Sequence, residues 1–245
     1  MNAFQNILRD SYLASMGIIR DTIKTDKDVR IESLPFIDTL KVSRPRQLPV
    51  SKQSGERFIG LIHRLLALIF LLVTFPVTLI VSIWIKLDSP GPVCFRQERM
   101  GKCGRIFKIV KFRTMVSNAE KYTGPVLASK DDHRITKAGR ILRHLRIDEF
   151  PQMLNVLMGD MSLVGPRPER PEIYDGIIQD WPEFFTRLDV KPGITGLAQI
   201  RGDYHTDPRD KLRYDLLYIK RKSIWLDVKI IAITAYICIL RKGAC

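Results

Sequence analysis

Between Leu65 and Ile85 the chain carries no charged residue, and at ~1.5 Å per residue a helix over this run would cross a hydrocarbon core of roughly 30 Å. No other feature restricts the architecture as strongly. Pro76 sits near its centre, where it removes a backbone donor and crowds the preceding turn, so the sequence predicts a bend there. Basic residues flank both ends: Arg44, Arg46, Lys52, Arg57 and Arg64 come before the run, and Lys86, Arg96, Arg99, Lys102 and Arg105 after it. A single span collects its positive excess on one side. The matched flanks therefore favour a helix that enters the membrane, turns at Pro76 and returns with both ends cytoplasmic. A spanning helix is the alternative, and a buried helix of a soluble core is a third.

The remainder mixes charged and apolar residues as a folded domain does, and it predicts an α+β, mostly helical protein in three parts. Residues 1–57 form an N-terminal extension, 58–87 the membrane helix, and 88–245 a small folded domain on the cytoplasmic side with a short β-hairpin and a C-terminal interfacial helix. In the extension, Phe4, Ile7, Leu8, Tyr12, Met16, Ile19 and Ile23 recur at helical spacing behind Asn2, and Pro35, Pro45 and Pro49 mark a linker. That helix could pack on its own domain, on a second copy in a homodimer, or on the membrane surface. Polar interruptions exclude a signal peptide. At the other end, the apolar stretch Ile230–Leu240 is too short to span, and Trp225, Tyr236 and Arg241-Lys242 surround it as they would an interfacial or core helix.

A net charge of +14 suits an anionic partner. The membrane segment favours lipid and phosphorylated substrates over nucleic acid. Cys94, Cys103, Cys238 and Cys245 have neither metal-ligand spacing nor a disulfide framework, so they read as packing residues in a reducing compartment.

Within the domain, Ser89-Pro90-Gly91-Pro92 breaks regular structure, Val93-Cys94-Phe95 reads as a strand, and Ile106 to Thr114 supplies its hairpin partner across the turn at Gly101-Lys102-Cys103-Gly104. Arg96, Arg99, Lys108, Lys111 and Arg113 decorate the hairpin as solvated charge would. A basic helix over Thr136–Ile147 runs into Asp148-Glu149-Phe150-Pro151-Gln152, where a second helix ending at Gly159 is expected with Asp148 as its N-cap. Asp148 has two readings: a helix cap, or a carboxylate kept ionised beside Arg143 that serves as a nucleophile or holds a divalent cation. Gly165-Pro166-Arg167-Pro168 is a stiff loop that could fix Arg167 for a phosphate, and Lys191 to Gln199 is a second Pro/Gly-dense turn.

Taken in order, these motifs resemble the bacterial sugar transferase family, the monotopic phosphoglycosyl transferases. The resemblance runs from about Phe58 to Leu240. It rests on the apolar run with Pro76, Ser89-Pro90-Gly91-Pro92 with Phe95 to Arg99, Lys111-Phe112-Arg113-Thr114-Met115, Asp148-Glu149 with Pro151-Gln152, the stretch Asn155 to Pro168, and the turn from Lys191 to Gln199. The family often has a basic pair followed by Asp at the mouth of its membrane helix and Ser before the proline. Here His63-Arg64 precedes Ala67, and Phe75 precedes Pro76.

The resemblance implies transfer of a sugar 1-phosphate from a UDP-sugar to undecaprenyl phosphate at the cytoplasmic face of the inner membrane, in contact with its lipid. Asp148 would be the nucleophile, with Glu149 orienting it or the ion. Mg2+ held by Asp148 and Glu149, together with Lys111, Arg143 and Arg167, would offset phosphoryl charge. Two other classes fit parts of the chain. One is a membrane-tethered glycosyltransferase releasing UDP; the other is a basic surface-binding module without catalysis, which would have no use for the acidic dyad.

Overall fold

The computed structural model describes residues 50–117, 119, 132–202 and 207–239. The helix and linker expected over residues 2–55 lie almost wholly outside these, as do Leu240, Arg241, Lys242 and Cys245.

Helix α1 (Val50–Asp88) contains the apolar run and is helical through Pro76. The Pro-broken helix expected from the sequence is thus a continuous one, because a single missing N–H removes one rung while the turns on either side persist. The hydroxyls in the run fold back on their own helix: Thr74 Oγ1 donates to the Phe70 carbonyl at 2.7 Å, Thr78 Oγ1 to the Phe75 carbonyl at 2.7 Å, and Ser82 Oγ to the Thr78 carbonyl at 2.6 Å. No hydroxyl needs water. Large apolar side chains such as Leu65, Leu72, Val73, Phe75, Ile80 and Leu87 cover the outer face and are exposed. This is the one candidate membrane helix among the described residues.

The inner face of α1 meets the globular unit on both sides of Pro76. Before the proline, Ala67 is buried with Phe107, Ile109, Val156 and Met161, and His63 Nδ1 lies 2.6 Å from Ser162 Oγ. Glu56, near the helix start, pairs with Lys102 at 3.1 Å and Lys222 at 3.2 Å. After the proline, Val81 and Ile85 are buried with Phe112 and Leu142. The helix end is then gripped by Arg113, whose guanidinium donates to the carbonyls of Ile85, Ser89 and Pro90. Only the Ile85 carbonyl belongs to the last turn, where it also accepts from Ser89 N at 3.3 Å; the other two lie in the segment that leaves the helix. Arg113 is therefore buried at 5% exposure, not the solvated charge expected.

Strands β1 (Cys94–Met100) and β2 (Ile106–Phe112) form the antiparallel hairpin, in register from Cys94 opposite Phe112 to Met100 opposite Ile106. Gly104 turns its corner at φ 76°. Cys103, in the same turn, is exposed, as is Cys238, so neither is the packing residue the sequence suggested. Helix α2 (Lys137–His144) is capped by Thr136 Oγ1, which accepts from Gly139 N at 3.0 Å. A left-handed Arg146 at φ 56° then sends the chain into a 3₁₀ turn, Ile147–Glu149, ahead of α3 (Gln152–Met158).

Two short parallel strands, β3 (Ser162–Val164) and β4 (Gly193–Thr195), bring the two Pro/Gly turns together. Backbone meets backbone there: a Cβ added at Gly193 would lie 2.1 Å from Gly165 N, and one at Gly196 2.2 Å from Gly165 O. Only glycine allows that approach. Helix α4 (Pro171–Asp180), a 3₁₀ segment (Pro182–Asp189), α5 (Leu197–Arg201) and α6 (Pro208–Arg221) complete the unit with α7 (Ile224–Ile239). The C-terminal helix packs on the unit through Ile230 and Ile233 and leaves Ile224, Trp225 and Val228 exposed.

Asn155 joins α3 to the hairpin. Fully buried, its Oδ1 accepts from Val110 N at 3.0 Å and its Nδ2 donates to the Lys108 carbonyl at 2.8 Å. A leucine there strands both backbone groups, so Asn155→Leu is expected to cost about 2–3 kcal/mol of stability. A melting curve of the detergent-solubilised protein that superimposes on wild type would contradict this role.

Candidate active site

The acidic dyad occupies the 3₁₀ turn between α2 and α3, and its neighbours explain its placement. Ile147 and Phe150 flank it and pack on the cluster of Val81 and Ile85, and the Phe150 ring meets Phe70 edge-on with centroids 4.9 Å apart. Helix α1 thus holds the turn from both sides of the dyad. Asp148 is not the N-cap expected: α3 begins after Pro151, and the cap position makes no side-chain hydrogen bond. The extra 3₁₀ turn displaces Asp148 from the helix start.

Glu149 is the electrostatic centre. Its Oε1 accepts from Lys111 Nζ on β2 at 3.0 Å and from Arg167 Nη2 in the loop after β3 at 3.0 Å. Burial acts against its charge, yet Lys111 and Arg167 hold the carboxyl well below the usual carboxylate range. In return, Glu149 raises the pKa of Arg167. Burial lowers that of Lys111 while Glu149 opposes it.

Asp148 lies beside this pair and behaves in the opposite way. Burial, reinforced by the adjacent Glu149 charge, pushes its carboxyl up to about 6, against the pull of Lys111, Arg143 and Arg167. Arg143 is fixed by its Nε donating to Thr114 Oγ1 at 2.8 Å and acts on Asp148 through charge. Among the described residues none donates a hydrogen bond to the Asp148 carboxylate. Two adjacent carboxylates driven apart in this way have different uses: a fixed anion in Glu149, and in Asp148 an ionised but more basic oxygen suited to nucleophilic attack.

The structure therefore brings Asp148, Glu149, Lys111, Arg143 and Arg167 into one site. Pro76 belongs to the scaffold behind it. Among the described residues no three acidic, His or Cys side chains group as a metal cage. A Mg2+ ion needs no such cage, since one or two carboxylates with substrate phosphates suffice. Asp148, and Glu149 through Oε2, which neither cation occupies, have the hard oxygen donors for it. Thr114 and Asn155 support the site without having been singled out for that from the sequence. Asn155 had a legible signal, an amide between the apolar Leu154 and Val156; Thr114 had none.

The arrangement is an acidic dyad set between a basic hairpin and a stiff Pro-Arg-Pro loop beside an apolar helix. The bacterial sugar transferase family matches residues 56–241, and the chain belongs to it. It is similar to a UDP-N-acetylgalactosamine-undecaprenyl-phosphate N-acetylgalactosaminephosphotransferase of Aeromonas hydrophila, with 47% identity over 64% of this chain and 37% of that protein. A UDP-glucose:undecaprenyl-phosphate glucose-1-phosphate transferase of Xanthomonas campestris pv. campestris is 39% identical over 88% of this chain and 44% of its own length. Exopolysaccharide production protein PSS of Rhizobium leguminosarum bv. phaseoli is 42% identical over 66% of this chain and 84% of its own. The chain spans less than half the length of the first two relatives.

The raised Asp148 carboxyl has a consequence for stability. Folding favours its protonated form, so its ionisation is a penalty that is absent well below the ordinary carboxylate pKa of 3.8, grows as pH rises, and is complete above about 6. Asp148→Asn is accordingly expected to melt above wild type at pH 7.5, with the difference vanishing near pH 3.5. Equal or lower melting at pH 7.5 would place Asp148 in a stabilising contact instead.

Proposed function

We propose that this protein transfers a sugar 1-phosphate from a UDP-sugar to undecaprenyl phosphate, releasing UMP, and so begins assembly of an exopolysaccharide or related glycan. The observation that carries this reading is the division of labour in the dyad: Glu149 is neutralised by Lys111 and Arg167, while the Asp148 carboxylate is left basic and free of donors among the described residues. The printed activities of the Aeromonas and Xanthomonas relatives agree with it.

In the first half-reaction an Asp148 oxygen attacks the sugar-bearing phosphorus of the UDP-sugar. The bond from that phosphorus to the bridging oxygen breaks, UMP leaves with the electron pair, and a phosphosugar ester remains on Asp148. In the second, a phosphate oxygen of undecaprenyl phosphate attacks the same phosphorus and the Asp148 carboxylate departs. Lys111, Arg143 and Arg167 orient the phosphoryl oxygens and offset charge that would otherwise repel an anionic nucleophile. Glu149 keeps two of those cations in place. Mg2+, held by Asp148 and Glu149, would supply further electrostatic stabilisation of the transferred group.

A one-sided membrane topology follows from the same framework. Glu56, His63 and Ala67 at one end of α1, and Val81, Ile85 and the carbonyls gripped by Arg113 at the other, all contact a single globular unit. A helix with its ends on opposite faces of a bilayer cannot keep both sets of contacts. The matched basic flanks agree, and we place the unit on the cytoplasmic face of the inner membrane with both ends of α1 on that side. In a background lacking native cysteines, single cysteines at Ser51 and Lys102 are expected to be labelled from the same side; opposite-side labelling would make α1 a spanning helix.

The chemistry is tested by the nucleotide product. Incubated with a panel of UDP-sugars and undecaprenyl phosphate, the full chain is expected to release UMP, and Asp148→Asn and Glu149→Gln to lose at least roughly a hundredfold in rate. Release of UDP would identify a glycosyltransferase, and near-normal turnover by Asp148→Asn would remove the covalent step.

A further inference from the structure

Arg167 owes its place to more than its neighbouring prolines. The loop it stands on is tied down almost atom by atom: Gly165 N donates to the Thr195 carbonyl at 2.9 Å, Gly193 N to the Pro166 carbonyl at 2.9 Å, Arg99 Nη1 to the Pro168 carbonyl at 3.0 Å, and Met100 N to the Glu169 carbonyl at 3.0 Å. The carbonyl of Arg167 itself accepts from Arg187 Nη2 at 3.1 Å. Arg187 comes from the 3₁₀ segment after α4 and is 3% exposed. Its Nε donates to Asp215 Oδ2 on α6 at 2.7 Å, and its guanidinium lies over the Phe184 ring, 4.3 Å from the centroid.

Removing an arginine and an aspartate this completely from water is costly, and a well-packed apolar pair would do as well or better for stability alone. Neither residue reaches the dyad. Their link to the site runs through the Arg167 backbone, and thence through the Arg167 side chain to Glu149.

We propose that the buried Arg187–Asp215 pair is a positioning device for the transfer reaction, fixing the Arg167 main chain so that its guanidinium meets Glu149 and the transferred phosphoryl group. Arg187 is a positioning residue and touches no substrate. The bridging geometry explains the residue type: a planar guanidinium holds a carboxylate with one nitrogen and a carbonyl with another in fixed directions, whereas a lysine ammonium has all three donors on a single atom and cannot span the two acceptors in the same way. The inference rests on the phosphosugar-transfer reading and adds a residue pair that neither the sequence motifs nor the dyad geometry singled out.

A double-mutant cycle decides it, read as UMP release by the full chain in detergent. Arg187→Lys keeps the charge opposite Asp215 but gives up one of the two attachments. It is expected to lower kcat by roughly tenfold or more with little change in the KM for UDP-sugar and a small change in Tm. In an Arg167→Lys background, whose side chain no longer reaches Glu149 as a planar fork, the same replacement is expected to cost less than roughly threefold. Should Arg187→Lys fail to fold, Asp215→Asn carries the identical cycle. Equal losses in both backgrounds, or a kcat that merely follows Tm, would make the pair structural and overturn the proposal. The failure of the underlying reading looks different: wild type would then release no UMP at all, or Arg167→Lys alone would leave the rate unchanged.

Discussion

One carboxylate, that of Glu149, gathers the site. Lys111 arrives on a hairpin strand and Arg167 on a loop after a different strand, and both reach the same oxygen at 3.0 Å. Without that anion, two cations would face each other across a confined space. With it, each keeps donors directed at a common point, and Asp148 sits beside a charge pattern that is positive around it but not bonded to it. Preorganisation of this kind is the main means by which a protein stabilises charge that develops on a phosphoryl group.

The scaffold behind the dyad is the apolar helix α1. Ile147 and Phe150 dock on Val81, Ile85 and Phe70, so the residues on either side of the dyad are anchored to the element that carries the apolar run. Arg113 strengthens the arrangement by tying the end of α1 to the segment that leaves it, while Thr114, the next residue, orients Arg143. Two consecutive side chains thus connect the helix end to the cation beside Asp148.

Much of this was legible from residue order. The apolar run, the hairpin, the basic helix, the stop at Gly159 and the two Pro/Gly turns follow from periodicity and turn chemistry, and the family resemblance named all five charged site residues. What local sequence could not reveal is what depends on long-range contact. Lys111 and Arg167 are 38 and 18 positions from Glu149, and no spacing rule relates them. Asp148 looked like a cap because the two helices were read as nearly continuous; a left-handed Arg146 and a 3₁₀ turn, neither with a distinctive residue signature, moved the second helix onward. Arg113 reads as solvated from sequence, since nothing in Phe112-Arg113-Thr114 announces that the carbonyls of Ile85, Ser89 and Pro90 converge on it. Pro76 does not end its helix, because the turns on either side persist.

The central claim is that Asp148 becomes covalently bonded to the phosphosugar. Intact-protein mass spectrometry after incubation with the reactive UDP-sugar, with undecaprenyl phosphate withheld, tests it most directly. A mass increase of one sugar phosphate less one water is expected, located on the peptide containing Asp148, lost on addition of undecaprenyl phosphate and absent in Asp148→Asn. An unmodified wild-type protein that nevertheless releases UMP in proportion to product formed would contradict it, since transfer would then pass directly from nucleotide to lipid.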